Sequence, residues 1–480
     1  MVGEEKRLPS SEETASRDKM WLPKLPYYRF IVMLVAFSCL ISIFSNYTIM
    51  NFAFICMKDD MHGAVPDANG TLQSIYDYSA TEKAQLIWAV AIGTIIGTIP
   101  YNWMYVKYGA RHVFLTAGVL SLLATSFTPL AAANNYILLL VIRLIQGIAY
   151  AADFAVIGII CVKWAPHDEM AIFISILTVF SPFATVITTS VTGLLCTSSL
   201  GWRSSFYVHS VAGAVCFFLW YIVYSDDPLS HPSVTSRELA SIQKGKSAAH
   251  FSRERDIPYR AMLTNSALVC TWFNAFMDLS MSIMIITYAP IYLNVVLEFP
   301  IEQTAFIIGI TNFGQLPFKF GAAFISDKMT SISPKIKMLF FNTISCGLVS
   351  FLFGGLGFVT KDNRWLAMVI LGAVHCLMST NCAGFYQCGR YVSQQFADVV
   401  IAAIQFCKCL ALFFVPAIVA ATVADESDRN QWARSFLVMS GLLLVANFSA
   451  YFFFTDEPAE FTREKEHEYQ MQEAMNSEKA

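Results

Sequence analysis

The chain has 480 residues, of which 56% are hydrophobic and only 14% are charged. A soluble domain carries roughly 25% charged residues, so this composition excludes an ordinary soluble protein. The net charge of −3 gives no indication of nucleic-acid binding, and we expect no nucleic-acid partner. The mean hydropathy of +0.52 is typical of a chain that crosses a membrane several times.

Twelve apolar segments follow a polar tail that covers residues 1–27. Each is long enough to cross a hydrocarbon core of roughly 30 Å. They cover residues 28–56, 84–106, 113–133, 136–162, 171–196, 204–224, 263–297, 303–326, 337–359, 365–389, 399–423 and 434–455. The pattern predicts an all-α integral membrane protein with twelve transmembrane helices in two six-helix bundles. The predicted domains are the tail, a bundle at 28–224, a central loop at 225–262, a second bundle at 263–455 and a tail at 456–480.

The basic residues predict the orientation of these spans. With both termini on one side, 21 of the 32 lysines and arginines flank that side, 7 flank the other and 4 lie within spans. Lysine and arginine concentrate in cytosolic loops, so both termini and the central loop are predicted to be cytosolic. The sequence does not decide between the plasma membrane and the membrane of an intracellular vesicle or lysosome.

The loop 57–83 is then non-cytosolic and contains the glycosylation sequon Asn69-Gly70-Thr71. Asn69 is therefore a predicted glycosylation site. The twelve cysteines lie almost entirely in apolar segments and show no C-x-x-C spacing. We therefore expect small buried side chains rather than metal ligands or disulfides.

The fourth span carries the most informative polar residues. At about 100° per residue, one narrow arc of the helix holds four polar side chains: Arg143, Gln146, Tyr150 and Asp153. A charged side chain in hydrocarbon costs at least about 2.5–3.5 kcal/mol at mid-span, so it normally faces a protein interior or a watery cavity. The alternative is that Arg143 reaches a nearby interface and Asp153 is a buried structural partner. The arc predicts a polar site between the helices.

Other spans contribute to this predicted midplane site. The seventh span presents Asn274 and Asp278 on one face, the first span adds Tyr47, and the eleventh adds Lys408. The first, fourth, seventh and tenth spans are equivalent members of a six-plus-six arrangement, in which a transporter builds its midplane site. We expect Arg143, Gln146, Tyr150, Tyr47, Asn274 and Lys408 to contact the substrate.

The two buried aspartates have two possible roles. Asp153 and Asp278 could exchange a proton with the cavity and so couple transport to an ion gradient, or they could be permanent counter-ions of Arg143 and Lys408. The sequence does not choose between these roles. It contains no G-x-x-x-x-G-K-[ST] loop and no histidine cluster at metal-ligand spacing, so we expect no enzyme, no cofactor and no metal site.

Several short motifs lie within or next to the spans. Arg143-Leu-Ile-Gln146-Gly147 is followed by Lys163-Trp164-Ala165-Pro166, and Lys107-Tyr108-Gly109-x-Arg111 follows the second span. Ser326-Asp327-Lys328 follows the eighth span. These motifs resemble those of the organic anion transporters that include sialin, the vesicular glutamate transporters and the sodium/phosphate cotransporters. The resemblance implies the major facilitator fold, with Lys107, Arg111, Asp327 and Lys328 in gating loops.

The charged positions of that family are mostly changed here. By alignment, Tyr47 and Asp278 stand where the family has arginines in the first and seventh spans, and Tyr150 stands in place of a fourth-span glutamate. The resemblance implies a secondary transporter of a small organic anion, coupled to protons or sodium or working by exchange. The alternatives are a transporter of a cation or zwitterion, and a non-transporting receptor or scaffold that kept the fold.

Overall fold

The computed structural model describes residues 27–61, 64–66, 72–166, 169, 173, 176–243 and 258–462. In the first half, the long helices are Tyr28–Met57, Ala80–Tyr108, Ala110–Asn134, Tyr136–Tyr150 with Asp153–Trp164, Phe180–Thr197 and Gly201–Val223. In the second half they are Ser266–Ile291, Ile301–Lys328, Pro334–Asn342 with Val349–Leu356, Trp365–Met378 with Phe385–Ser393, Ala397–Thr422 and Arg429–Phe453.

Shorter elements join or extend these helices. Two π-helical segments, Tyr292–Val296 and Thr343–Leu348, continue the seventh span and interrupt the ninth. The 3-10 turns are Pro228–Ser230, Lys361–Asn363, Ser379–Ala383 and Gln394–Phe396. The central loop contributes two short helices, Ser236–Gln243 and Tyr259–Thr264. Strands Val65–Pro66 and Leu72–Gln73 pair antiparallel between the first two spans.

The helices confirm the predicted all-α, twelve-span architecture. Within the described residues, eleven segments are long and apolar enough to cross a membrane. The remaining span, Ile301–Lys328, is 28 residues long but includes the charged residues Glu302, Lys319 and Lys328. Below, the terminal face is the end of the bundle at which the first span begins and the last one finishes, at Tyr28 and Phe453. The other end is the opposite face.

The second and fourth spans cross at two glycines, and this contact fixes the position of the polar arc. A Cβ atom at Gly147 would lie 2.1 Å from the Val90 carbonyl oxygen, and one at Gly93 would lie 2.1 Å from that of Leu144. Only glycine permits two helix backbones to approach this closely, as is common between helices in membranes. Gly147 is the glycine of the R-x-x-Q-G motif, so the motif includes a packing requirement.

The fourth span is not one continuous helix as predicted. It turns at Ala151 and Ala152, where the Ala152 amide donates to the Ala149 carbonyl instead of to the residue four positions back. The Tyr105 hydroxyl of the second span donates to the Ala152 carbonyl at 2.9 Å. This side-chain bond connects the second span to the fourth span at the break. Asp153 lies in the first turn after the break.

Candidate functional site

A cavity of about 160 Å³ lies between the two halves near the middle of the bundle. Four spans contribute to its wall, two from each half: the first, fifth, seventh and eleventh. The lining side chains are Phe44, Tyr47, Thr178, Phe180, Ser181, Leu279, Ser282, Ile283, Ile286, Thr287, Lys408 and Leu412. Of the spans expected at the site, the first, seventh and eleventh contribute to this wall and the fourth and tenth do not, while the fifth span was not expected there.

Lys408 is the cation in this wall. Its ammonium group donates a hydrogen bond to the Tyr150 hydroxyl, which belongs to the other half of the molecule. It also lies 5.3 Å from the ring centroid of Phe44 and 5.1 Å from that of Tyr150. Aromatic faces attract a cation through their quadrupole and so favour the charged lysine. Lys408 therefore supplies a positive charge in a cavity that is otherwise lined mainly by apolar and hydroxyl-bearing side chains.

Tyr47 and Tyr150 form the aromatic floor beneath Lys408. Their ring centroids are 4.4 Å apart, and Phe44 meets both rings edge-on at 5.1 and 6.1 Å. These contacts bring together three of the predicted substrate residues, Tyr47, Tyr150 and Lys408, although they come from three different spans. Of these three rings, Phe44 and Tyr47 belong to the cavity wall, so an apolar group of a ligand could contact them there.

Asp153 lies behind the floor and interacts electrostatically with Lys408. It is fully buried, and neither carboxylate oxygen has a hydrogen-bond partner in the described part of the chain. Of the two cations considered from the sequence, Lys408 is thus the one whose field reaches Asp153. A buried carboxylate without a hydrogen bond is costly within a membrane, so Asp153 is a candidate functional residue.

Arg143 and Gln146 are directed away from the cavity, towards the first and third spans. The Arg143 guanidinium donates to the Tyr47 carbonyl at 2.8 Å, the Gln146 side-chain oxygen at 2.7 Å and the Leu86 carbonyl at 3.4 Å. Gln146 in turn donates to the Asn46 carbonyl and the Thr125 hydroxyl. Arg143 is 1% exposed. These bonds hold the spans of the first half together. Arg143, which was predicted to contact the substrate, therefore has a structural role here.

Asn274 also lies within a bundle and not at the cavity. Its side-chain oxygen accepts from Asn342 of the ninth span at 3.1 Å, and Asn342 donates to Asn447 of the twelfth span at 3.1 Å. In the first half, the equivalent pair joins Asn46 of the first span to Ser121 of the third at 3.0 Å. Each half thus uses amide groups to connect its own spans, which explains why Asn274 sits on a polar face.

Asp278 is buried on the same helix. Its Oδ2 accepts from the Asn381 amide at 2.9 Å, whereas Oδ1 has no partner among the described residues. Lys319 of the eighth span interacts with it electrostatically. The structure therefore places Asp278 in the second half, near Lys319 and not against Lys408. Of the two aspartates considered as counter-ions, it is Asp153 that lies near Lys408, and the cation near Asp278 is Lys319.

The predicted gating residues contact their own halves. Arg111 donates to the Tyr221 carbonyl at 2.8 Å, and Lys107 lies 4.8 Å from the Trp103 ring centroid. Lys328 lies 5.6 Å from the ring centroid of Phe324 on its own helix. The Asp327 side chain and Asn69 lie outside the described residues. These three contacts do not bring the two loops together, and the gating role stays a prediction.

A disulfide on the opposite face corrects the expectation for the cysteines. Cys56 lies in the last turn of the first span and Cys196 in the last turn of the fifth, and their Cα atoms are 5.9 Å apart. The other ten cysteines form no disulfide, and each is buried or half-buried, as expected. The sequence could not indicate this pair, because 140 residues separate its members and both lie in apolar surroundings.

Sequence reasoning also missed an ion cluster on the terminal face. Arg29, in the first turn of the first span, donates from two nitrogens to both carboxylate oxygens of Glu169, each at 2.8 Å. Glu238 of the central loop accepts from the Arg29 backbone amide at 2.9 Å. This cluster fastens the helix Ser236–Gln243 to the first half. The basic residue and the two acidic residues are far apart in the chain, and no motif connects them.

Comparison with known proteins gives the family. The model of the Major Facilitator Superfamily matches residues 35–416. The chain is 32% identical over 234 residues to the sodium-dependent phosphate transport protein 3 of Mus musculus, covering 49% of each chain. It is 28% identical over 261 residues to the probable small intestine urate exporter of Mus musculus, covering 54% of this chain and 52% of that protein. The chain thus spans about half the length of these curated relatives.

A longer match has lower identity. The human sodium-dependent phosphate transport protein 1 is 21% identical over 467 residues, with 93% of this chain and 97% of that protein covered. These names confirm the resemblance to the organic anion transporter family that includes the sodium/phosphate cotransporters. They are names of transport proteins and not of enzymes.

Solved structures share the fold. A D-xylose-proton symporter superposes with a TM-score of 0.67 at 14% identity, covering 89% of this chain and 98% of that one. A bacterial homologue of the human lysosomal transporter Spinster gives a TM-score of 0.69 at 13% identity, covering 90% and 99%. The family match and the apolar helices together identify a multi-pass membrane protein. The chain belongs to the Major Facilitator Superfamily.

Proposed function

We propose that this protein is a secondary transporter that moves a small organic anion across a membrane by alternating access. The observation that carries the proposal is Lys408, a cation in the wall of a cavity formed by both halves. Because its ammonium bonds to Tyr150 of the other half, an anion that takes over this ammonium would loosen one contact between the halves. Binding and movement of the halves would then be linked.

The cavity wall favours an organic anion over a small inorganic one. Phe44, Leu279, Ile283 and Leu412 contribute apolar surface beside the ammonium group of Lys408. A cavity with apolar walls and one convergent polar group is suited to a ligand with an apolar body and one charged end. The names of the relatives refer to phosphate and urate, so both belong in a substrate panel.

Asp153 is our candidate for coupling to protons or sodium. Its carboxylate is buried next to the charge that would hold the substrate. Neutralising Asp153 while an anion occupies Lys408 would leave the occupied site without a competing negative charge. Asp278, which is buried in the second half, is a second candidate for the same task.

Uptake into proteoliposomes tests the proposal. A panel of organic anions, urate, phosphate and organic cations should be supplied with and without a pH or sodium gradient. We expect anion uptake by the native protein and its loss in Lys408→Gln, because a neutral amide cannot balance the anion's charge. Lys361→Gln, which removes an exposed lysine that pairs with Glu298 on the opposite face, is the matched control. Uptake of cations alone, or full anion uptake by Lys408→Gln, would contradict the proposal.

A further inference from the structure

An ion pair on the opposite face joins the two halves. Lys83, in the first turns of the second span, donates to both carboxylate oxygens of Glu426, at 2.6 and 2.7 Å. Glu426 belongs to the connection between the eleventh and twelfth spans, which end and begin at Thr422 and Arg429. The side chains are only 5% and 14% exposed. This pair is therefore nearly desolvated, unlike an ordinary surface ion pair, which contributes little.

Both partners are held in place by their own halves. A capping box in which the Ser79 hydroxyl accepts from the Glu82 amide fixes the start of the second span, and the Lys83 ammonium lies 5.8 Å from the Phe54 ring centroid. The Glu426 carbonyl accepts from the indole of Trp432, which is fully buried in the twelfth span. A lysine close to a helix N-terminus lies at the positive end of the helix dipole, which is unfavourable without an anionic partner. Lys83 therefore gains from an anionic partner, and Glu426 of the other half provides one.

Further contacts extend this closed region towards the middle of the bundle. The Trp88 indole of the second span donates to the Phe413 carbonyl of the eleventh at 3.0 Å. The Asn51 amide of the first span donates to the Thr287 hydroxyl of the seventh at 3.2 Å. These bonds lie between the central cavity and the opposite face, so the cavity is closed on that side.

We propose that the Lys83–Glu426 ion pair is the latch that keeps the opposite face closed, and that it must break before the central cavity can open there. The inference rests on the proposed alternating-access function. Opening requires the second span to separate from the connection between the eleventh and twelfth spans, and these are the elements that the pair joins. Exposure to water during opening would rehydrate both charges, which lowers the cost of separating them. The ion pair thus stabilises the closed opposite face while its charges are desolvated, and it permits opening once water hydrates them.

Pulsed dipolar spectroscopy on protein in lipid nanodiscs tests the latch. Spin labels at Leu200→Cys and Asp362→Cys report the separation of the halves, since both residues are exposed and lie on the opposite face of different halves. The native cysteines outside the disulfide are buried or half-buried, so the introduced sites react first. In Lys83→Gln and in Glu426→Gln we expect the ratio of long to short distances to rise about tenfold, the scale of a typical coupling between sites.

Two further variants make the result specific. The exchanged pair Lys83→Glu with Glu426→Lys should restore the short distances, because the attraction is regained. Glu298→Gln removes an ion pair on the same face that joins two loops of one half, and it should leave the distances unchanged.

Native distances in both single variants would overturn the proposal. So would loss of the single and exchanged variants from the membrane, since the pair would then be needed for folding. The readout needs no substrate, so a failed anion uptake assay would overturn the proposed substrate without changing this result.

Discussion

Arg143 shows how a charged residue in a membrane span can be structural. Its guanidinium bonds to two backbone carbonyls and the Gln146 side chain inside the first half. Carbonyl oxygens in the middle of a helix already accept one bond each, and the arginine uses their second lone pairs to connect three spans. The positive charge is thus solvated by backbone dipoles instead of by a carboxylate.

We therefore expect Arg143→Ala to reduce stability more than it changes substrate selectivity. Hydrogen bonds to charged groups contribute about 1.5–3 kcal/mol each, and three are lost. Arg143→Lys should recover only part of this, because a single ammonium cannot reproduce the geometry of the planar fork. Thermal unfolding of the purified protein in detergent and its abundance in the membrane are the measurements. If the Arg143→Ala protein is abundant and thermally stable but binds no anion, Arg143 contacts the substrate and the structural prediction is contradicted.

Asp278 provides a second test at the residue scale. Asp278→Asn keeps the size of the side chain and its contact with Asn381, but removes its ability to change charge. If Asp278 takes up and releases a proton during transport, the variant should exchange substrate across the membrane and lose its response to a pH gradient. Net uptake and exchange in the same proteoliposomes separate these two activities. Unchanged pH dependence and uptake would remove Asp278 from the coupling mechanism.

The polar residues themselves were predictable from the sequence, but their partners were not. Hydrophobic periodicity correctly indicated that Arg143, Gln146, Tyr150 and Asp153 face the protein interior. Periodicity gives a direction around one helix and not the identity of the neighbour, so it could not separate Arg143, which bonds to backbone, from Tyr150, which bonds to Lys408. The break at Ala151 further changed the direction of Asp153, and no glycine or proline marks it.

At the scale of elements, hydrophobic length predicted the spans well, whereas contacts among loops were not predictable. The helix Ser236–Gln243 of the central loop is attached to the first span and to the connection after the fourth span through Arg29, Glu169 and Glu238. This attachment makes the start of the central loop part of the first half. Movement between the halves therefore has to be accommodated further along the chain.

The Arg29–Glu169 contact should make stability depend on pH. The hydrogen bond from Arg29 lowers the pKa of the Glu169 carboxyl below its ordinary value. A lowered pKa in the folded state stabilises the protein at pH values above the ordinary glutamate pKa, and this contribution is lost as the pH falls through the folded pKa. We expect Glu169→Gln to lower the melting temperature at neutral pH, and the difference from the native protein to shrink in acid. A constant difference across this range would contradict the prediction.

At the scale of the whole molecule, the two halves meet around a central cavity that is closed towards one face. Each half has its own polar connections, through Asn46 and Ser121 in one and through Asn274, Asn342 and Asn447 in the other. Buried amide contacts of this kind hold each bundle together as a unit, whereas the contacts between halves include the Lys408–Tyr150 bond at the cavity. Movement of one bundle against the other requires halves that are each held together as a unit.

The disulfide and the basic residues lead independently to the same orientation. Disulfides persist in oxidising compartments, and Cys56 and Cys196 lie on the opposite face. The excess of lysine and arginine around the terminal face predicts that this face is cytosolic. We therefore expect the termini and the central loop in the cytosol and the disulfide on the extracellular or lumenal side.

Two measurements in sealed membranes of known sidedness test this orientation. A membrane-impermeant maleimide applied to the non-cytosolic side should label Leu200→Cys, which is exposed near the disulfide on the opposite face, but should not label a cysteine at Lys244 in the central loop. After denaturation without reductant, ten thiols should react with a mass-adding reagent, and reduction should add the two from Cys56 and Cys196. Labelling at Lys244 from the non-cytosolic side would reverse the orientation. Twelve reactive thiols before reduction would instead show that the pair is not oxidised, and the basic residues alone would then support the topology.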